Sequence, residues 1–197
     1  MDKNLYVVAG CNGAGKTTAS FTILPEILNC REFVNADEIA VGLSPFQPEK
    51  AVMEAGRIML GRIKHLLNEN INFAFETTLA SIIHKNTILT AQAAGYTVTL
   101  LFFWLQTVEL AKKRVEKRVS EGGHDIEPAI IERRYINGIR KLFDIYMPIV
   151  DEVLIFDNSE GQHELIAKKI NNSDISILNK SKFNLLKQQY DNQKQRK

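Results

Sequence analysis

Eight consecutive residues, Gly10-Cys11-Asn12-Gly13-Ala14-Gly15-Lys16-Thr17, place three glycines ahead of a lysine and a hydroxyl. A phosphate chain is multiply negative, and a loop whose backbone N–H groups converge on it can replace its water without any large side chain. Gly10, Gly13 and Gly15 let the backbone approach that closely. Lys16 is spaced to reach the terminal phosphates, and the Thr17 hydroxyl to hold a magnesium ion bridging them. Asn12, Ala14 and Thr18 complete the expected nucleotide-binding set, and Cys11 reads as a small filler contributing backbone. The run follows a strand-like stretch, Leu5 to Ala9, and precedes a helical one, Thr17 to Leu28. That context separates a phosphate loop from a plain glycine-rich turn.

Three acids follow short apolar runs: Asp37 after Phe33-Val34-Asn35-Ala36, Glu76 after Phe73-Ala74-Phe75, and Asp157 after Val153-Leu154-Ile155-Phe156. Ligands of open parallel sheets lie beyond the carboxyl ends of the strands, so these positions carry the candidates for chemistry. Asp37 is either an acceptor base or the N-cap of a helix beginning at Glu38. Glu76, followed by Thr77-Thr78, reads as a contact to magnesium through water or to a substrate hydroxyl. Asp157 is either turn chemistry or a contact near the nucleotide base. Farther along, Arg114 and Arg118 share a helix face, and Gly122-Gly123 reads as a hinge, with His124 and Arg133-Arg134 beyond it. Guanidinium groups on a hinged lid suit the charge that develops on a transferring phosphoryl group.

These residues need a frame, and the rest of the chain supplies one. Leu5-Ala9, Phe33-Asn35, Phe73-Phe75, Val98-Trp104 and Val153-Phe156 are strand-like and each precedes a helix-like segment. The alternation predicts an α/β three-layer sandwich: a central five-stranded, mainly parallel sheet, helices on both faces, a helical lid and a polar C-terminal extension. Val98-Trp104 is apolar enough for a central strand. Pro48 and Pro128 open two of the predicted helices, and a further helix-like stretch is expected from the turn at Asp157-Gly161 to about Ile170. The predicted domain is 1–172; 173–197 is a polar tail, partly helical or mobile.

With 197 residues, 45% of them hydrophobic, one globular domain is expected, and a net charge of +2 gives no global pull toward nucleic acid or an anionic membrane. Two cysteines are too few for a disulfide framework or a thiolate metal site. No apolar run reaches membrane-span length, so a cytoplasmic protein is expected.

Taken together, Gly10 to Thr18, Phe33 to Ile39, Gly42-Leu43-Ser44-Pro45-Phe46, Phe75-Glu76-Thr77-Thr78, Gly122-Gly123-His124 and Arg133-Arg134-Tyr135 form a pattern over about Leu5 to Ser159. It resembles the zeta toxin family of P-loop kinases in its short zeta-like branch. The resemblance implies ATP with Mg2+, a small-molecule acceptor such as the UDP-N-acetylglucosamine phosphorylated by better-known members, and a separate antitoxin partner. Residue by residue it assigns Lys16 and Thr17 to the cradle, Asp37 to acceptor activation and Glu76 to substrate contact. Arg118 and one of Arg133 or Arg134 become the phosphate clamps, with Arg134 placed at the phosphates and Arg133 at the acceptor. Thr78, Ser44 and Phe46 are expected around the acceptor. The alternatives are a kinase of another metabolite or of a nucleic-acid hydroxyl, and a nucleotide-gated binding module.

Overall fold

The computed structural model describes residues 3–123, 125–171 and 173–194; His124 lies outside them. In chain order the elements are β1 (Lys3–Gly10), α1 (Lys16–Thr22), β2 (Glu32–Val34), α2 (Ala36–Leu43), α3 (Val52–Asn68), β3 (Phe73–Thr77), α4 (Lys85–Ala93), β4 (Tyr96–Trp104), α5 (Val108–Ser120), α6 (Pro128–Lys141), the single turn α7 (Met147–Ile149), β5 (Glu152–Asp157), β6 (Glu164–Lys169), β7 (Ser176–Ile177) and α8 (Lys180–Lys194). The strands form one sheet in the order β2-β3-β1-β4-β5-β6-β7. The first five in sequence are mutually parallel where they pair, as the alternation predicts.

β1 and β4 occupy the middle and are buried almost throughout, which is why both read as unbroken apolar runs. Side chains alternate across the sheet. Val8, Leu101 and Phe103 border Leu24, in the turn after α1, on one face, while Phe102 and Trp104 border Tyr135 and Ile139 of α6 on the other. Gly10, Thr77, Trp104 and Asp157 all end their strands at one edge of the sheet, so a loop leaving any of them reaches the same crevice.

One expectation is corrected. The sheet has seven strands, because the helix-like stretch ending near Ile170 is instead β6, antiparallel to β5, and it carries β7 in turn. Its core, Leu165-Ile166-Ala167, is a short apolar run whose period does not decide between helix and strand. Pairing with the otherwise open edge of β5 decides it. The polar segment after Ser173 forms β7 and α8, and Phe183, Leu186 and Tyr190, spaced three and four apart, are buried as α8 docks. No helix among the described residues is long and apolar enough to cross a membrane.

Polar contacts fix where α8 sits. Gln189 accepts from Trp104 Nε1 at 3.1 Å and from the Tyr135 hydroxyl at 3.0 Å, and donates to the Gln106 carbonyl at 2.6 Å. Lys182 lies 2.8 Å from the buried Asp157 carboxylate and 2.6 Å from Glu164. Asp157 also receives Gln106 Nε2 at 2.9 Å and the Ser159 amide at 3.0 Å. Its role is therefore to shape the turn after β5. Burial alone pushes its carboxyl up, but the bonds from Lys182, Ser159 and Gln106 carry it below its ordinary 3.8. Lys182→Met is expected to lower unfolding free energy by about 1–3 kcal/mol at pH 7, measured by denaturant titration. A depressed carboxylate contributes fully above its unfolded pKa and loses that contribution as pH falls through its folded one. The gap between wild type and variant should therefore begin to narrow as pH falls below about 4, and a gap that stays constant on further acidification would contradict this account.

Candidate active site

β1 delivers Gly10 to the carboxyl edge of the sheet, and the chain turns there before α1 begins at Lys16. Gly13 and Gly15 adopt φ of +77° and +79°, a region that disfavours side chains. A Cβ on Gly15 would stand 2.4 Å from Asn158 Nδ2, and one on Gly13 would stand 2.8 Å from the Ala111 carbonyl oxygen. The glycines therefore serve close packing as well as turning. Asn158 donates to the Ala14 carbonyl at 2.8 Å. Arg114 donates to the carbonyls of Gly13 at 3.4 Å, Asn158 at 2.8 Å and Ser159 at 3.0 Å. Gly15 caps α1 without a side chain, which leaves the opening amides of the helix for an anion. Burial pushes the Cys11 thiol up to about 11, so it stays protonated and serves as filler.

Glu76, at the end of β3, is the hub of the site. Lys16 Nζ lies 3.3 Å from one carboxylate oxygen and donates to the Cys11 carbonyl at 3.0 Å. The Thr17 hydroxyl donates to the other oxygen at 2.8 Å, and Asn35 Nδ2 donates to it at 3.1 Å. Asn35 also accepts the Asp37 amide at 2.9 Å and is the N-cap of α2. This corrects the capping alternative for Asp37. The helix starts at Ala36, and Asp37 lies in its first turn with an exposed side chain facing the crevice. Thr17 Oγ1 and Glu76 are hard oxygen donors side by side at the entry to α1. Mg2+ is held by one or two such side chains together with phosphate oxygens and water, so the pair fits that ion.

Two cavities meet at these residues. The larger, about 370 Å³, is lined by Asn12, Gly13 and the stretch from Gly15 to Thr18, with the buried Ala14 behind them, and by Val41, Arg114, Arg118 and Gly123. The smaller, about 170 Å³, is lined by Ala36, Met59, Thr77, Thr78, His84 and Arg134. Asn12, Lys16, Asn35, Asp37 and Glu76 belong to both. The arginines divide accordingly. Arg118 borders the larger cavity, whereas Arg134 borders the smaller and donates to Asn12 Oδ1 at 3.1 Å. Burial draws the Arg134 guanidinium below its ordinary pKa and nearby Asp37 opposes the shift. Arg133 is exposed and lines neither cavity; Ser44 and the 97% exposed Phe46 also line neither.

Gly122-Gly123 is a helix stop. The Gly123 amide donates to the Arg118 carbonyl at 2.9 Å and the Gly122 amide to Val119 at 3.0 Å, with Gly122 at φ +92°. This is the double hydrogen bond of a Schellman cap, which ends α5. Asn35, Asn158, Met59 and His84 are site residues that spacing alone did not single out. Only Asn35 carried a local signal, an Asn two residues before an acidic first helical turn.

A family model for the zeta toxin matches residues 48–170. An uncharacterized protein of Haemophilus influenzae is 31% identical over 137 residues, which is 68% of this chain and 94% of that protein. Among solved structures, one from the PezAT chromosomal toxin-antitoxin system of Streptococcus pneumoniae superposes with a TM-score of 0.67 at 16% identity, covering 98% of this chain and 87% of its own. The AvrRxo1-ORF1:-ORF2 structure with ATP superposes at 0.71 and 17% identity, covering 94% of this chain and 63% of its own. Both structural likenesses establish the fold.

Gly15→Ala combines a strained φ with a clash and is expected to weaken ATP binding by about tenfold or more in calorimetry. Gly61→Ala, at a position in α3 with open space around it, is expected to leave it unchanged. Equal affinities for the two variants would contradict this reading of the loop.

Proposed function

The chain belongs to the zeta toxin family of P-loop kinases, and on that footing we propose that it transfers the terminal phosphate of ATP to a hydroxyl of a small metabolite. One observation carries the reading: two cavities share a wall made of Lys16, Asn35, Asp37 and Glu76. A nucleotide-gated switch needs the first cavity alone, whereas a transferase needs a second chamber that opens onto the same cation and an acidic base.

In this reading the larger cavity takes the ATP phosphates against the loop amides, with Lys16 and Arg118 meeting the charge of the transferring group. The smaller takes the acceptor, held by Thr78 and Arg134. Asp37 orients the acceptor hydroxyl and takes its proton as that oxygen bonds to the γ-phosphorus and the bond to the β–γ bridging oxygen breaks, releasing ADP. When bound at Thr17 and Glu76, magnesium neutralises charge on the phosphate oxygens. The family resemblance makes UDP-N-acetylglucosamine the first acceptor to try. The smaller cavity has the volume of about half a dozen waters, room for one sugar-sized group, so the remainder of such an acceptor would extend outside it. ATP in one structural neighbour and a toxin-antitoxin system in another support ATP as donor and an antitoxin as partner. The reaction is assigned to the cytoplasm.

The test is incubation with ATP, magnesium and either UDP-N-acetylglucosamine or a bacterial metabolite extract, read by mass spectrometry for the gain of one phosphate. Asp37→Asn is expected to lower kcat by about 10²–10⁴ with little change in ATP affinity, and Lys16→Ala to abolish transfer. Wild-type protein that phosphorylates nothing in the extract would refute the proposal.

A further inference from the structure

His84 stands at the N-terminus of α4, 8% exposed, with its ring against Phe75 at a centroid separation of 4.7 Å and a tilt of 37°. The imidazole is part of the wall of the smaller cavity, together with Asp37, Glu76, Thr78 and Arg134. Its Nδ1 is buried and meets no hydrogen-bond partner among the described residues. Buried polar atoms are nearly always paired, so an unpaired one on a residue that lines the cavity points to a partner that arrives from outside the chain.

The segment that carries this ring is built firmly. Leu79, fully buried, holds φ at +58°, an unusual conformation for a branched side chain, and its amide donates to Thr77 Oγ1 at 3.1 Å. The Tyr146 hydroxyl donates to the Ser81 carbonyl at 2.6 Å. On α6, Gly138 comes so near the Thr78 carbonyl that a Cβ there would lie 2.9 Å from its oxygen. The orphan nitrogen thus sits on a segment clamped at Leu79, Ser81 and Thr78, and a side chain held that way loses little freedom when it binds a ligand.

We propose that His84 is an acceptor-binding residue: its imidazole hydrogen-bonds a neutral polar group of the acceptor, a hydroxyl or amide, and so selects which hydroxyl meets Asp37. This rests on the phosphotransferase reading of the same site. Burial lowers the ring's pKa to about 4, so it is uncharged under ordinary conditions and matches a neutral group better than an anion. The anionic part of an acceptor falls instead to Arg134 and Lys16 on other walls of the cavity.

The test compares wild type, His84→Phe and His84→Asn, with the bacterial metabolite extract and UDP-N-acetylglucosamine as acceptor probes. Phe keeps the ring packing on Phe75 and removes both nitrogens; Asn restores a polar atom near the position of Nδ1. The expected result for His84→Phe is an acceptor KM raised about tenfold, with kcat changed much less and the ATP KM unchanged. His84→Asn should recover most of that loss. Unchanged acceptor KM in the Phe variant, or an Asn variant no better than Phe, overturns the assignment. If the Phe variant melts early, wild type decides: the ¹⁵N resonances of His84, identified by their loss in the Asn variant, must shift on addition of the acceptor probe, and resonances that stay in place overturn it. Wild type that phosphorylates no probe removes the phosphotransferase reading and this assignment together, whereas active wild type with an indifferent His84 removes this assignment alone.

Discussion

A loop that turns its amides inward toward phosphate must turn its carbonyls outward into protein, and each of those carbonyls then needs a donor. The site is organised around that requirement. Lys16 takes the Cys11 carbonyl, Arg114 the Gly13 carbonyl and Asn158 the Ala14 carbonyl. The donors come from α1, from α5 and from the turn after β5, so the loop cannot take its shape until distant parts of the sheet are in register. Arg114 also holds the Asn158 and Ser159 carbonyls, and Asp157 beside them is tied to α8 through Lys182. The order of the loop thus extends by successive hydrogen bonds to the last helix described.

Glu76 does a different kind of work. Its two oxygens engage a cation, a hydroxyl and an amide contributed by two other elements, so it links the entry of α1 to the start of α2, where Asp37 stands. It also lies in the wall of both cavities, so one side chain faces the donor and the acceptor sides of the site.

Much of this was legible in the sequence because it is local. The Gly10 to Thr17 spacing, the acids following apolar runs and the proline-led helices are read within a few residues of themselves, and five parallel strands follow from their alternation with helices. What escaped depends on partners far along the chain. Arg114 and Arg118 look equivalent on one helix face, yet Arg114 is drawn to carbonyls of Asn158 and Ser159, more than forty residues away. β6 is a strand because β5 offers it an edge. His84 has no neighbour in sequence that marks it; only the cavity and the orphaned nitrogen do. Asp37 and its cap differ by two residues, the usual margin at a helix boundary, and that margin separates a capping role from a side chain open to the crevice.

The Schellman stop at Gly122-Gly123 bears on how such a protein tolerates changes of length. An α-helix rotates about 100° per residue, so a single insertion between Arg114 and Arg118 would leave Arg114 stitched to its carbonyls and swing Arg118 away from the larger cavity. The same insertion in 125–127, past the stop, adds only a little loop entropy. Length variation compatible with this arrangement is therefore excluded between Arg114 and Arg118 and admitted in the connection between α5 and α6.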